Sequence, residues 1–82
     1  MINPTRYQTL YKCDKARLLR TKGEFIDSIE AIGFRTSLYI LDGFYVEVFY
    51  SYSNKQIEQI TVLNDVEKLE MYTKKIRLNN LW

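Results

Sequence analysis

The sequence predicts a small α+β domain, an antiparallel meander of three to four strands with a helix at each end. The order is α-β-β-β-β-α or, alternatively, α-α-β-β-β-α. Three observations point there. Asp42-Gly43 sits between two runs rich in β-branched and aromatic residues, 34–41 and 44–52. Asn3-Pro4 and Asn64-Asp65 each open a stretch with apolar residues at helical spacing. The 82 residues, 46% hydrophobic and 15% aromatic, suffice for one globular core, which sets the disordered class aside.

A first helix is expected at 4–21. Asn suits an N-cap and Pro the first helical position. Tyr7, Leu10, Tyr11 and Leu18 follow at helical spacing, with Asp14 intruding on the stripe. Arg17, Arg20 and Lys22 load the end, and Gly23 stands just past it, both signals of a helix C-terminus.

Segment 24–32 admits two readings. Phe25, Ile26, Ile29 and Ile32 fit a short helix with Thr21 and Glu24 as a capping box and Gly33 closing it. That helix would put Gly23 in its first turn, where glycine is costly. The preferred reading is a strand that pairs with 34–41 through a turn near Gly33.

The central hairpin is the strongest local signal. A two-residue type I′ turn needs φ > 0 twice, and Asp-Gly supplies it. Such a turn sets Leu41 opposite Phe44, Tyr39 opposite Val46, and Ser37 opposite Val48. Side chains alternate along a strand. One face then carries Tyr39, Leu41, Phe44, Val46, Val48, Tyr50 and Tyr52. The other carries Phe34, Leu38, Ile40, Tyr45 and Phe49, interrupted by Thr36, Glu47 and Ser51. Both faces are largely apolar, so both call for cover by a helix, a partner chain or a ligand.

Ser53-Asn54-Lys55 reads as a polar turn and 56–63 as a further strand, with Ile57, Ile60, Val62 and Leu63 its apolar members. The face that Ile60 and Val62 join depends on turn length and stays open. Asn64 can cap a second helix, with Asp65 at the positive end and Glu67 three residues on. Val66, Leu69 and Ile76, with Tyr72 or Thr73 between them, form its buried stripe. Lys74, Lys75 and Arg77 suit its C-terminal end, and Asn79 to Trp82 make a short tail.

Composition excludes several chemistries. There is no His, and Cys13 is the one cysteine. Cys/His zinc sites and His-dependent nucleophilic catalysis are therefore ruled out. Gly23, Gly33 and Gly43 stand ten apart, too far for a phosphate-cradling loop. No catalytic residue, metal site or cofactor is expected. No apolar run approaches the ~18 residues of a membrane span. Residues 1–12 lack an apolar signal-peptide core, and Asn3-Pro4-Thr5 is no glycosylation site. A cytoplasmic protein is expected.

Charge is segregated along the chain. Residues 1–22 hold six cations against Asp14, residues 23–73 three cations against nine acids, and residues 74–82 three cations, for a net +2. Lys12, Lys15, Arg17 and Arg20 are candidate contacts to a nucleic-acid backbone. The same residues also suit a solvated helix face with cations near its end.

Tyr39, Phe44, Val46, Tyr50 and Tyr52 are the candidate protein interface. Aromatics on a sheet can form such an interface, fill a core or stack bases. Glu47, alone among apolar neighbours, is either a paired carboxylate or a general base. Glu24, Asp27 and Glu30 read as a solvated acidic face, and Cys13 as a small, semi-buried helix residue.

The stretch GFRTSLYILDGFYVEVFY, residues 33–50, resembles the strand region of small RelE/ParE-type toxins. The resemblance implies helices packed on an antiparallel sheet and, for some members, ribosome-dependent ribonuclease activity. This chain departs in having no strand before its first helix and in ending on a helix, and no catalytic residue carries over.

The function expected is a non-enzymatic interaction module that self-associates through its aromatic sheet. Its partner is a second copy or another protein, with no membrane involved. A nucleic-acid-binding accessory protein and a small toxin-like ribonuclease are the alternatives.

Overall fold

The computed structural model describes residues 1–65 and 67–72. Helices α1 (Pro4–Gln8) and α2 (Lys12–Lys22) precede strands β1 (Glu24–Ala31), β2 (Phe34–Leu41), β3 (Phe44–Ser51) and β4 (Gln56–Val62). A final helical segment, α3, covers 67–72. The strands form one antiparallel sheet in the order β1-β2-β3-β4. This is the α-β-β-β-β-α order, with the first helix in two pieces.

The central hairpin follows from its turn. Asp42 adopts φ 47 and Gly43 φ 87, the positive values of a type I′ turn. Leu41 pairs with Phe44, Tyr39 with Val46 and Ser37 with Val48, as the turn length dictates. Asp42 also binds the N-terminus, its Oδ2 accepting from the Ile2 amide at 2.9 Å. Segment 24–31 is a strand, joined to β2 through Ile32-Gly33, with Gly33 at φ 91.

The single helix expected over 4–21 is broken at Thr9–Tyr11. Asn3 caps α1 as anticipated, its Oδ1 accepting from Arg6 N at 2.8 Å. The Thr9 hydroxyl then donates to Arg6 O at 2.7 Å and closes the helix. A continuous helix would carry Asp14 onto the sheet along the line of Tyr7 and Leu18. The break resets the phase, so Leu19 is buried and Ala16 packs beside it, while Tyr11 becomes exposed.

Gly23 stands just past α2 as expected, and does so without a left-handed backbone. Its φ of −79 and ψ of 159 are extended. A Cβ there would stand 2.7 Å from Leu19 O and 2.9 Å from Leu19 Cα. The chain must pass that close to turn from α2 directly into β1.

Both sheet faces carry helices. On the front face, α1 and α2 bury Leu41, Val46, Val48 and Ile60 together with Tyr7 and Leu19. Tyr7 meets Phe44 edge-on at 5.7 Å, and its hydroxyl donates to Lys15 O at 2.9 Å. The pairings Val46 with Val62 and Val48 with Ile60 place both β4 residues on this face. The register shifts near Tyr50, where Ile57 rather than Glu58 is its partner. Each fully buried side chain such as Leu41 contributes about 1.5–3 kcal/mol over exposure.

On the back face, Leu38, Leu63 and Tyr72 form a second core, with Ile29, Tyr45 and Leu69 against it. Asp65, not Asn64, caps α3 by accepting from Glu67 N at 2.9 Å. Leu69 and Tyr72 turn inward as the helical spacing requires. Val66, Thr73, Ile76, the cations Lys74, Lys75 and Arg77, and the tail to Trp82 lie outside the described residues. Among the described residues no helix is long and apolar enough to cross a membrane.

Candidate interaction surface

The residues expected at an interface separate by depth. Val46 has no exposed surface, because α1 and α2 cover it. Tyr39 and Phe44 are half-buried against the same core. Tyr50 is half-buried, and Tyr52, past the end of β3, is 41% exposed. Tyr50 and Tyr52 pack edge-on at 5.6 Å. Val46 is therefore corrected from interface to core, and Tyr52 is the most accessible of the five.

Met1, Tyr11 and Met71 are exposed singly, and the other accessible large apolar residues lie on or beside β1. Phe25 is 55% exposed, Ile26 is 42% exposed, and Ile32 at the β1–β2 turn is fully exposed. Phe25 leans edge-on against Tyr39 at 5.6 Å. Tyr52 joins the far end of the strand. Its amide donates to Gly33 O at 3.0 Å, and its hydroxyl donates to the Glu30 carboxylate. That bond holds the Tyr52 hydroxyl above the usual tyrosine range. Arg35 stands 3.7 Å from Glu30, so the border of the sheet carries a cation and an anion among its apolar groups.

Sequence reasoning passed over Ile26 and Ile32 because their period misled. Phe25 and Ile29 fall on opposite faces through the register shift between Phe25 and Asp27, which a plain alternation hides. The available signal was Ile32 beside Gly33. An isoleucine in a two-residue turn has no strand neighbour to bury it.

The two sheet edges differ. On β4, Lys15 Nζ donates to Ile60 O at 3.1 Å, and Gln8 Oε1 accepts from Val62 N at 3.0 Å. Helix side chains thus occupy one carbonyl and one amide on the outward side of that strand. On β1, the Asp27 carboxylate accepts from Ser28 N at 2.8 Å, a contact within the strand itself.

The basic residues are divided as well. Lys15 is held by β4, and Arg17 lies 3.6 Å from Asp14, one turn away on an exposed face. Lys12 and Arg20 are exposed on α2. The four therefore do not form one uncommitted basic surface.

Glu47 has partners on α3. Tyr72 donates its hydroxyl to Glu47 Oε2 at 2.9 Å, and Lys68 Nζ lies 4.0 Å from Oε1. Burial first, then the neighbouring Glu47 carboxylate, pushes the Tyr72 hydroxyl up, against an opposing hydrogen bond from Thr36. Next to this anchor a groove of about 440 Å³ opens on the back face, lined by the stacked rings of Phe34 and Phe49 with Thr36, Thr61 and Met71. Cys13 is exposed on α2 rather than semi-buried, since the face of α2 that carries Leu19 is the one turned to the sheet. Among the described residues no group of three or more acidic or cysteine side chains could hold a metal ion.

No protein-family model, no curated protein and no solved structure matches this chain.

Proposed function

We propose that this protein is a non-enzymatic interaction module that pairs with a second copy of itself along the β1 border of its sheet. One observation carries the reading. Of the seven exposed large apolar residues among the described ones, four lie on or beside β1, Phe25 and Ile26 at one end and Ile32 and Tyr52 at the other. Exposed apolar groups concentrated along one border in this way mark association sites. The border also holds Glu30 and Arg35, so it offers both a donor and an acceptor to an identical surface. Two-fold pairing requires that kind of self-complementarity.

Light scattering after size-exclusion chromatography tests the reading. The wild type is expected at twice the chain mass of 9.9 kDa. Phe25→Asp and Ile32→Asp are each expected to return it to the single-chain mass with circular dichroism unchanged. A wild type that stays at the single-chain mass into the high-micromolar range rejects self-pairing.

A further inference from the structure

We infer that the back-face groove is a binding site for a small, uncharged heteroaromatic molecule with two adjacent N–H donors on one edge, the pattern of guanine. The site stands apart from self-pairing, which falls on Phe25, Ile26, Ile32 and Tyr52.

The strand register explains why the groove is there. Leu38 pairs with Glu47 and Glu47 with Thr61, while Thr36 pairs with Phe49 and Phe49 with Gln59. Residues directly opposite share a face, so these make two neighbouring rows on the back of the sheet. Helix α3 closes over the first row at Leu38, where Tyr72 packs. The second row is left as a floor together with Phe34, and the exposed Met71 of α3 joins the lining. The volume of about 440 Å³ lies within the range of about 300–1,000 Å³ usual for small-molecule sites.

Two kinds of group meet in this space. The half-buried rings of Phe34 and Phe49 stack with centroids 4.6 Å apart and planes 28° apart, a surface on which a further flat ring can lie. Beside them stand Glu47, Thr61 and Gln59. A carboxylate has about four acceptor positions. Among the described residues Glu47 fills one of them, with the Tyr72 hydroxyl at 2.9 Å, which also fixes the direction of the carboxylate. Lys68 Nζ, 4.0 Å from Oε1, is too distant for a hydrogen bond and supplies only the balancing charge. The Thr61 hydroxyl and the Gln59 amide have no hydrogen-bond partner among the described residues.

These groups choose the ligand. A flat ring buries a face on the phenylalanine pair. Two adjacent N–H donors meet the two carboxylate oxygens as a fork, a geometry that adds direction as well as energy. Thr61 and Gln59 answer the acceptors of the same ring. The charges of Glu47 and Lys68 cancel, so a neutral molecule fits without adding an unbalanced charge. Stacking combined with hydrogen bonds to one base edge is how single bases are read. Guanine offers the donor pair on that edge. Adenine offers one donor beside a lone pair, which would face a carboxylate oxygen.

Nuclear magnetic resonance titration of the isotope-labelled full chain with guanosine and adenosine tests the site. Guanosine is expected to shift the amides of Thr36, Phe49, Gln59 and Thr61, and adenosine to bind about tenfold more weakly. Glu47→Gln keeps an acceptor for Tyr72 but loses the fork, and is expected to lower guanosine affinity about tenfold. Gln59→Ala, at an exposed position away from the α3 anchor, covers the case in which Glu47→Gln loosens α3. It is expected to weaken guanosine about threefold with the spectrum of the free protein otherwise unchanged. Absence of groove shifts with guanosine at millimolar concentration overturns the site. Equal affinity for guanosine and adenosine overturns the role given to Glu47.

Discussion

Asp42 serves two ends at once. It adopts a left-handed backbone that costs most residues about 1–2 kcal/mol, and its carboxylate ties down the Ile2 amide. Asp42→Ala loses both and is expected to lower stability by about 1–3 kcal/mol in urea unfolding. Asp42→Asn keeps the left-handed tolerance and an acceptor oxygen, so its loss is expected to be under about half of that. Equal losses for the two variants would show that the turn geometry is irrelevant.

Tyr7 makes a pH prediction. Burial pushes its hydroxyl up to about 12, above the ordinary value of 10.0. The folded protein thus holds this proton more tightly than the unfolded chain. The stabilisation is complete below pH 10 and is lost as pH rises from about 10 toward about 12. Urea midpoints across that window are expected to fall less steeply in Tyr7→Phe than in the wild type. Parallel slopes would place the loss elsewhere, in the lysines or in the other tyrosines.

Between elements, Gly23 is the tightest joint. A methyl group there meets Leu19 backbone atoms, which cannot swing aside as a side-chain tip can. Gly23→Ala is expected to cost about 1–3 kcal/mol, although alanine is ordinarily better than glycine beside a helix. A stabilised Gly23→Ala would mean that α2 and β1 shift apart freely. The α3 anchor is lighter. Tyr72→Phe removes one half-buried bond to Glu47 and is expected to cost about 0.5–2 kcal/mol, read by thermal unfolding.

At the scale of the molecule, covered and uncovered surfaces decide what the sheet can do. Helices on both faces use up the apolar content of Leu38, Leu41, Val46 and Val48 internally. Exposed apolar groups therefore remain at the border along β1 rather than at the centre of either sheet face. Salt separates this reading from one driven by charge. Self-association through Phe25, Ile26 and Ile32 is expected to hold or strengthen from about 0.1 to 0.5 M salt, because apolar burial is not screened as exposed ion pairs are. A dimer that dissociates over this range would trace instead to Glu30 and Arg35.

The parts of this protein that could be read in advance are those where a few adjacent residues impose a backbone state. Asp42-Gly43 selects its turn by φ alone, and the turn length then sets the β2–β3 register. Asn3-Pro4 starts a helix by the same local chemistry. The candidate interface was only partly legible. Tyr52 was named, but Val46 was placed outside and Ile26 and Ile32 were passed over, since exposure depends on what packs above a strand. The break at Thr9–Tyr11, the side taken by Ile60 and Val62, and the partners of Glu47 were decided by packing between segments distant in the chain. Lys15 reaching Ile60, or Tyr72 reaching Glu47, joins residues 45 and 25 positions apart, and no local propensity encodes such meetings. They follow from which arrangement of all the elements buries the apolar stripes without burying Asp14.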